Sequence, residues 1–224
     1  MNSPFSLSAE VRWFFDGEIP KNVQKWFKSS KLRTKPERRT DTYLVYPNAK
    51  SCGVKFRKSK FEIKSLVKDI GNRDFEAKAC GAIRIWEKWS TKGESIGQFK
   101  QEVTVDEVIW VDVKKKRIIR KFSADGGQIR EIDASGKEGF PDNGCNVELT
   151  RVEIHQRPYW SLAFGSFGEE DTLVDNLTET VRILLSEKDC PFRNLSESLE
   201  FSPSEDKCHS YPSFLALHRN DHKG

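Results

Sequence analysis

Five stretches of this chain place a charged residue, usually Arg or Lys, at every second position between bulky apolar ones. They are Ala9-Glu10-Val11-Arg12-Trp13-Phe14, Gly53-Val54-Lys55-Phe56-Arg57, Phe61-Glu62-Ile63-Lys64, Ile83-Arg84-Ile85-Trp86-Glu87-Lys88-Trp89 and Ile109-Trp110-Val111-Asp112-Val113-Lys114. Successive side chains of a β-strand point to opposite faces, so each run has one apolar and one ionic face. The outer face of an ordinary half-buried sheet is a mixture of neutral and charged polar residues. Here full charges, mostly positive, fill it in run after run. A chain patterned this way folds into sheets with one greasy side, and the other side is suited to hold an anion.

Composition leaves room for such a fold. Of 224 residues 36% are hydrophobic and 32% charged, and 15 Phe and 6 Trp supply bulky core material. That argues against disorder throughout. The 38 basic and 34 acidic residues give a net charge of +4, too small an excess for bulk nucleic-acid or membrane binding but compatible with a local basic site. Cys52, Cys80, Cys145, Cys190 and Cys208 are odd in number and widely spaced, with no C-x-x-C, which fits a reducing compartment rather than a disulfide framework or a zinc site. Met1 to Ser8 has no signal-peptide pattern, and no apolar stretch approaches the ~18 residues of a membrane span. The expectation is a cytoplasmic protein without membrane contact.

Along the chain, a first strand at Ala9 to Phe15 meets the turn Asp16-Gly17, and Pro20 opens a helix carrying Val23, Trp26 and Phe27 on one side. Strands are expected at Thr40 to Tyr46, Val54 to Arg57, Lys60 to Leu66, Ile83 to Trp89 and Val108 to Val113. Lys114-Lys115-Lys116 reads as a charged turn into a partner strand, Arg117 to Phe122. A short strand at Gln128 to Ile132 precedes a hairpin of Cys145 to Ile154 and Tyr159 to Phe167 around Gln156-Arg157-Pro158. Asp171 or Thr172 caps a helix bearing Leu173, Leu177, Val181 and Leu184, and Tyr211 to Leu215 reads as a last extended segment. With no repeat or linker to divide it, the chain is read as one mainly β (α+β) domain of antiparallel strands with flanking helices over residues 1–217. Residues 218–224 form a polar tail.

This order of elements, together with Glu10-Val11-Arg12, Thr40-Asp41-Thr42-Tyr43-Leu44, Val54-Lys55-Phe56-Arg57, Glu62-Ile63-Lys64, Lys115-Lys116-Arg117 and Trp160-Ser161-Leu162-Ala163-Phe164, resembles the CYTH family. These are the triphosphate tunnel proteins, among them class IV adenylyl cyclases, thiamine triphosphatases and inorganic triphosphatases. The resemblance implies a closed eight-stranded antiparallel barrel whose inward Lys and Arg hold phosphates and whose inward acids hold Mg²⁺ or Mn²⁺. On this chain the phosphate set becomes Arg12, Lys55, Arg57, Lys64, Arg84, Lys115 and Arg117, with Lys88 beside them, and the metal set becomes Glu10, Glu62 and Glu148. The family's E-x-E-x-K signature falls on Ser8, Glu10 and Arg12, so its first acid is missing, and Thr150 and Gly165 stand where other acids would. A tunnel short of carboxylates holds a divalent cation weakly, so the retained cations support anion binding better than hydrolysis.

The ligand class implied is a triphosphate or other polyphosphorylated small molecule, or inorganic polyphosphate, with metal-dependent phosphohydrolase activity as the associated chemistry. Two other functions compete with it. An inactive tunnel could bind another organic anion or a protein partner, and a basic, aromatic barrel could bind single-stranded nucleic acid. A bland alternative also exists for the cations, since Lys and Arg on an exposed sheet face discourage edge pairing. Trp86, Trp89, Trp110 and Trp160 are expected in packing roles. The sequence has no P-loop, no nucleophile elbow and no H-E-x-x-H, and His218, His222 and Cys208-His209 read as incidental.

Overall fold

Each alternating run lies in a strand of a single antiparallel sheet. The structure is a computed structural model that describes residues 5–47, 50–57, 60–76, 78–92, 109–136, 139–192 and 202–219. The elements are β1 (Phe5–Asp16), α1 (Lys21–Ser29), β2 (Glu37–Val45), β3 (Cys52–Arg57), β4 (Lys60–Phe75) and β5 (Ala79–Lys92), followed by β6 (Ile109–Ser123) and β7 (Arg130–Ile132). The chain continues through β8 (Gly144–Ile154), β9 (Arg157–Phe167), α2 (Leu173–Leu185) and α3 (Tyr211–Leu217).

The strand order is β2-β3-β4-β5-β1-β9-β8-β6, and β6 pairs back onto β2 from Glu37↔Arg117 to Val45↔Ile109. That last pairing closes an eight-stranded barrel and removes the exposed edges of an open sheet. The short β7 adds outside this ring, on the end of β6. The closed antiparallel barrel expected from the sequence is therefore the fold.

Closure gives each face of the alternating strands its own environment. The outward Ala9, Val11, Trp13 and Phe15 pack with Trp26 and Phe27 of α1 and Leu173, Leu177, Val181 and Leu184 of α2. The helix residues recur every three or four positions, so each helix lays one stripe against the barrel. Trp13, wholly buried, donates its indole N–H to Cys80 O at 2.8 Å.

Three local expectations are corrected. Lys114-Lys115-Lys116 is no turn: β6 runs unbroken through it, paired with β2 on one side and β8 on the other. Alternation sends Lys114 outward to Glu153 (2.8 Å), with Lys116 on the same exposed face, and Lys115 inward to a buried partner, so the middle charge is separated from its two neighbours. The β8–β9 connection turns at His155 and Gln156, both at positive φ (52° and 65°), which is the two-residue geometry that matches strand twist. Arg157 and Pro158, expected in the loop, begin β9.

The third correction concerns Tyr211 to Leu215, which is helical. Ser210 accepts a hydrogen bond from Ser213 N and Pro212 sits in the first turn, both helix-start features. The segment before it is tied along β1 and β5 by Cys80 N to Pro203 O (2.7 Å) and His209 N to Arg12 O (3.0 Å). His218, just after α3, hydrogen-bonds Tyr159 OH at 3.3 Å. Val108 and residues 220–224, which include His222, lie outside the described residues.

Candidate functional site

Inward side chains meet in a cavity of about 630 Å³. Among its described lining residues are nine cations, Arg12, Arg39, Lys55, Arg57, Lys64, Lys88, Lys115, Arg117 and Lys121, and three carboxylates, Glu10, Glu62 and Glu148. The cations therefore outnumber the acids threefold in a space walled by protein.

Small residues decide who meets whom. Ala163 of β9 is cross-strand neighbour to both Arg12 on β1 and Glu148 on β8, so Arg12 reaches over it to Glu148 Oε1 at 3.0 Å. Arg12 also donates to Ser161 Oγ at 3.1 Å. Arg117, opposite Thr150, donates to Glu148 Oε2 at 3.0 Å and to Glu37 at 2.5 Å. Two guanidiniums thus share one carboxylate, and burial, which pushes Glu148 up, is outweighed by Arg12 and Arg117, which hold it well below the usual carboxylate range.

The other acids are held in the same way. Lys64 reaches across the Trp86 ring to Glu10, and Lys55 (3.0 Å) and Arg57 (3.3 Å) both approach Glu62. Burial raises both acids, but Lys64 and Arg12 bring Glu10 below its ordinary value, and Lys55 and Arg57 do so for Glu62. Deeper still, Lys115 Nζ donates to Asp41 Oδ2 (2.9 Å) and Tyr43 OH (2.7 Å). Burial pulls the Lys115 ammonium well below its ordinary value despite Asp41, while Lys115, Lys55 and Arg39 hold Asp41 down against its own burial.

Among the described lining residues three buried donors have no hydrogen-bond partner: the Tyr211 hydroxyl, Arg117 Nε and Arg39 Nε, the last 3.4 Å from Asp41 Oδ1. Burial raises the Tyr211 phenol above its ordinary value, so it keeps its proton and can donate. Buried unpartnered donors of this kind are costly unless something fills them.

Beyond Arg12 and Lys115 the inward positions turn apolar. Phe14, Val45, Val113, Val152, Ile154 and Tyr159 form a second core with Phe214 and Leu215 of α3. Phe14 stacks on Phe214 at 3.9 Å, and Tyr211 stacks on Tyr43 at 5.3 Å with Lys115 Nζ 3.7 Å from its ring centre. Gly53 makes room for the helix: a Cβ there would lie 2.8 Å from Pro212 Cγ. α3 therefore stoppers one end of the barrel, and Lys88 and Phe140 are exposed where the cavity reaches solvent.

Of the residues singled out from sequence, Arg12, Lys55, Arg57, Lys64, Lys115, Arg117, Glu10, Glu62 and Glu148 line this cavity, as does Lys88. Arg84 is not brought to them; it donates to Asp69 Oδ2 at 3.1 Å. Sequence reasoning missed Arg39, Lys121, Asp41, Tyr43 and Tyr211. The alternation Arg39-Asp41-Tyr43 was the available signal for three of them, obscured because the strand was started at Thr40.

The donor set does not fit a divalent metal held by protein ligands. Among the described residues no three His, Cys, Asp or Glu side chains converge, and each inward glutamate is already engaged by a cation. Ser8 and Gly165, beside Glu10, add no carboxylate. Mg²⁺ and Mn²⁺ require several oxygen ligands in near-octahedral array.

The depressed carboxyls set a pH dependence. For Glu10, Glu62, Glu148 and Asp41 the folded value lies below the unfolded one. Their stabilisation is complete above the unfolded values of about 4 and is lost as pH falls through these toward the folded values. Thermal unfolding followed by circular dichroism is expected to show Tm falling steeply below about pH 5. A Tm unchanged down to about pH 3 would contradict these assignments.

The sequence matches no protein-family model and no curated protein. Solved structures are similar in backbone path. The Mediator head module of Schizosaccharomyces pombe matches with a TM-score of 0.45 and 10% identity, over 80% of this chain and 94% of that one. The capping-enzyme triphosphatase of Mimivirus gives 0.43 and 11%, over 81% and 90%. A putative adenylyl cyclase from Hippeastrum, described as having dominant triphosphatase activity, gives 0.41 and 12%, over 84% and 95%. At such identities side-chain roles do not transfer.

Proposed function

We propose that this chain binds the phosphate end of a polyphosphorylated small molecule in the lumen. The observation that carries this reading is the threefold excess of cations over carboxylates around one cavity, with the Tyr211 hydroxyl and Arg117 Nε unfilled inside it. Like charges walled into low dielectric repel, and a multivalent anion relieves that repulsion while filling the open donors. Arg supplies forked, bidentate contacts to phosphate oxygens and Lys a compact charge. In this reading Arg12 and Arg117 exchange part of their contact with Glu148 for phosphate, and Lys55, Arg57 and Lys64 hold the phosphates nearer the mouth.

Hydrolysis is the lesser part of the proposal. Phosphoryl transfer needs the developing charge offset and a water oriented for attack. The cations serve the first need; for the second, each inward glutamate would have to leave its cation first. Divalent metal, if required, would arrive with the polyphosphate rather than reside on the protein. Free thiols at Cys52, Cys80, Cys145 and Cys208 support a reducing, cytoplasmic setting, and no described helix is long and apolar enough to cross a membrane.

The test is thermal denaturation with tripolyphosphate in EDTA, at ionic strength matched with sodium chloride. Saturation to about 100 Kd adds about 2.7 kcal/mol, which for a chain of this size raises Tm by about 5–10 °C. No shift with tripolyphosphate, ATP or thiamine triphosphate would end the proposal. Phosphate release measured with Mg²⁺ or Mn²⁺ then decides whether binding leads to turnover.

A further inference from the structure

At the mouth of the lumen one large aromatic side chain stands out in the open. Phe140 is 71% exposed yet lines the cavity, and its ring lies against two neighbours. Lys121 Nζ sits 3.7 Å from the ring centre, and the far end of the ring rests on Gly136, where a Cβ would come within 2.8 Å of Cζ. Gly136 has φ of 77°, so the backbone there both needs glycine and leaves the ring a bare surface. Ile119 and Ala134 line the same side of the cavity and give that part of it an apolar lining, in contrast to the ionic interior.

We infer that Phe140, backed by Lys121, is a stacking subsite for the planar ring of an organic polyphosphate such as a nucleoside triphosphate. This rests on the polyphosphate reading above and deepens it. A ligand drawn in by Arg12, Lys64 and Arg117 goes phosphates first, because those cations lie inward of the rim, and its organic end stays at the mouth. Lys121 covers one face of the ring, and the exposed remainder is offered to a second flat group. Stacking of this kind tolerates any base, since every base has a π-face. The cavity volume of about 630 Å³ falls within the range of small-molecule sites, about 300–1,000 Å³.

Calorimetric titration of the full chain with ATP, ribose 5′-triphosphate and tripolyphosphate tests it, in the wild type, Phe140→Ala and Phe140→Trp. The wild type is expected to bind ATP about tenfold more tightly than ribose 5′-triphosphate, which lacks only the base. Phe140→Ala should erase that preference and leave tripolyphosphate binding unchanged; Phe140→Trp should retain it. Equal wild-type affinities for ATP and ribose 5′-triphosphate would overturn the inference while sparing the polyphosphate reading. Equal weakening of all three ligands in Phe140→Ala would also overturn it, because the ring would then only shape the opening. Absence of binding by both tripolyphosphate and ATP would instead sink the polyphosphate reading, and this inference with it.

Discussion

Arg12→Ala is expected to weaken tripolyphosphate binding by about a hundredfold, whereas Glu148→Gln should tighten it several-fold. The guanidinium of Arg12 stands between Glu148 Oε1 and Ser161 Oγ, at 3.0 and 3.1 Å, and 4.9 Å from the Tyr211 ring centre. It touches both the ring of Tyr211, whose hydroxyl is open, and the acid that competes with a bound anion. Removing it deletes charge-assisted contacts, each contributing roughly 1.5–3 kcal/mol, and leaves Glu148 less neutralised beside the phosphates. Glu148→Gln has the opposite sign for binding because the amide keeps the shape and removes the negative charge. The same change should slow any turnover that uses this carboxylate to orient water. Isothermal titration in EDTA separates the two variants, and losses of equal size in both would show that the lumen is no anion site.

Lys115→Ala should lower stability by about 3–5 kcal/mol, which for a chain of this size brings Tm down by about 10 °C or more. Asp41 has no exposed surface and Lys115 is 4% exposed, so truncating the lysine strands a carboxylate that water does not reach. Arg39 Nε, 3.4 Å from Asp41 Oδ1, compensates only partly. The ammonium also lies against the rings of Tyr43 and Tyr211, at 4.8 and 3.7 Å from their centres, so its loss opens a gap beneath α3. Replacing both partners, in Asp41→Asn with Lys115→Met, should recover much of the loss, since a buried pair contributes little net stability compared with the penalty of leaving half of it. Chemical denaturation of the wild type, the single variant and the double variant measures this. A single-variant loss below about 1 kcal/mol would show that Asp41 finds other company.

Much of this was legible in the sequence, and the remainder fails for identifiable reasons. Alternation at Glu10, Arg12, Lys55, Arg57, Glu62 and Lys64 assigned these side chains to one face, because a period of two is a local property. Three consecutive lysines at 114–116 mask that period, and only pairing with β2 and β8 on both sides shows Lys115 alone turned inward. Arg84 keeps the parity of Trp86 and Lys88 but meets Asp69, since β4 shifts register between Leu66 and Gly71 and the β4–β5 ribbon departs from the ring there. Ion pairing across strands is a matter of three-dimensional neighbours: nothing local says that Ala163 is small so that Arg12 can cross it to Glu148. The helical state of Tyr211–Leu217 was likewise hidden, because seven residues carry little propensity and the burial of Phe214 and Leu215 inside the barrel decides the outcome.

The stopper formed by α3 makes this lumen a cul-de-sac rather than a corridor. Anything that reaches Tyr211 leaves by the doorway through which it entered. A linear polyanion can present its terminus there, while its interior units stay outside and a ring-shaped one has no end to offer. Entry and departure then share one passage beside Phe140 and Lys88, so a product left inside blocks the next arrival until it backs out.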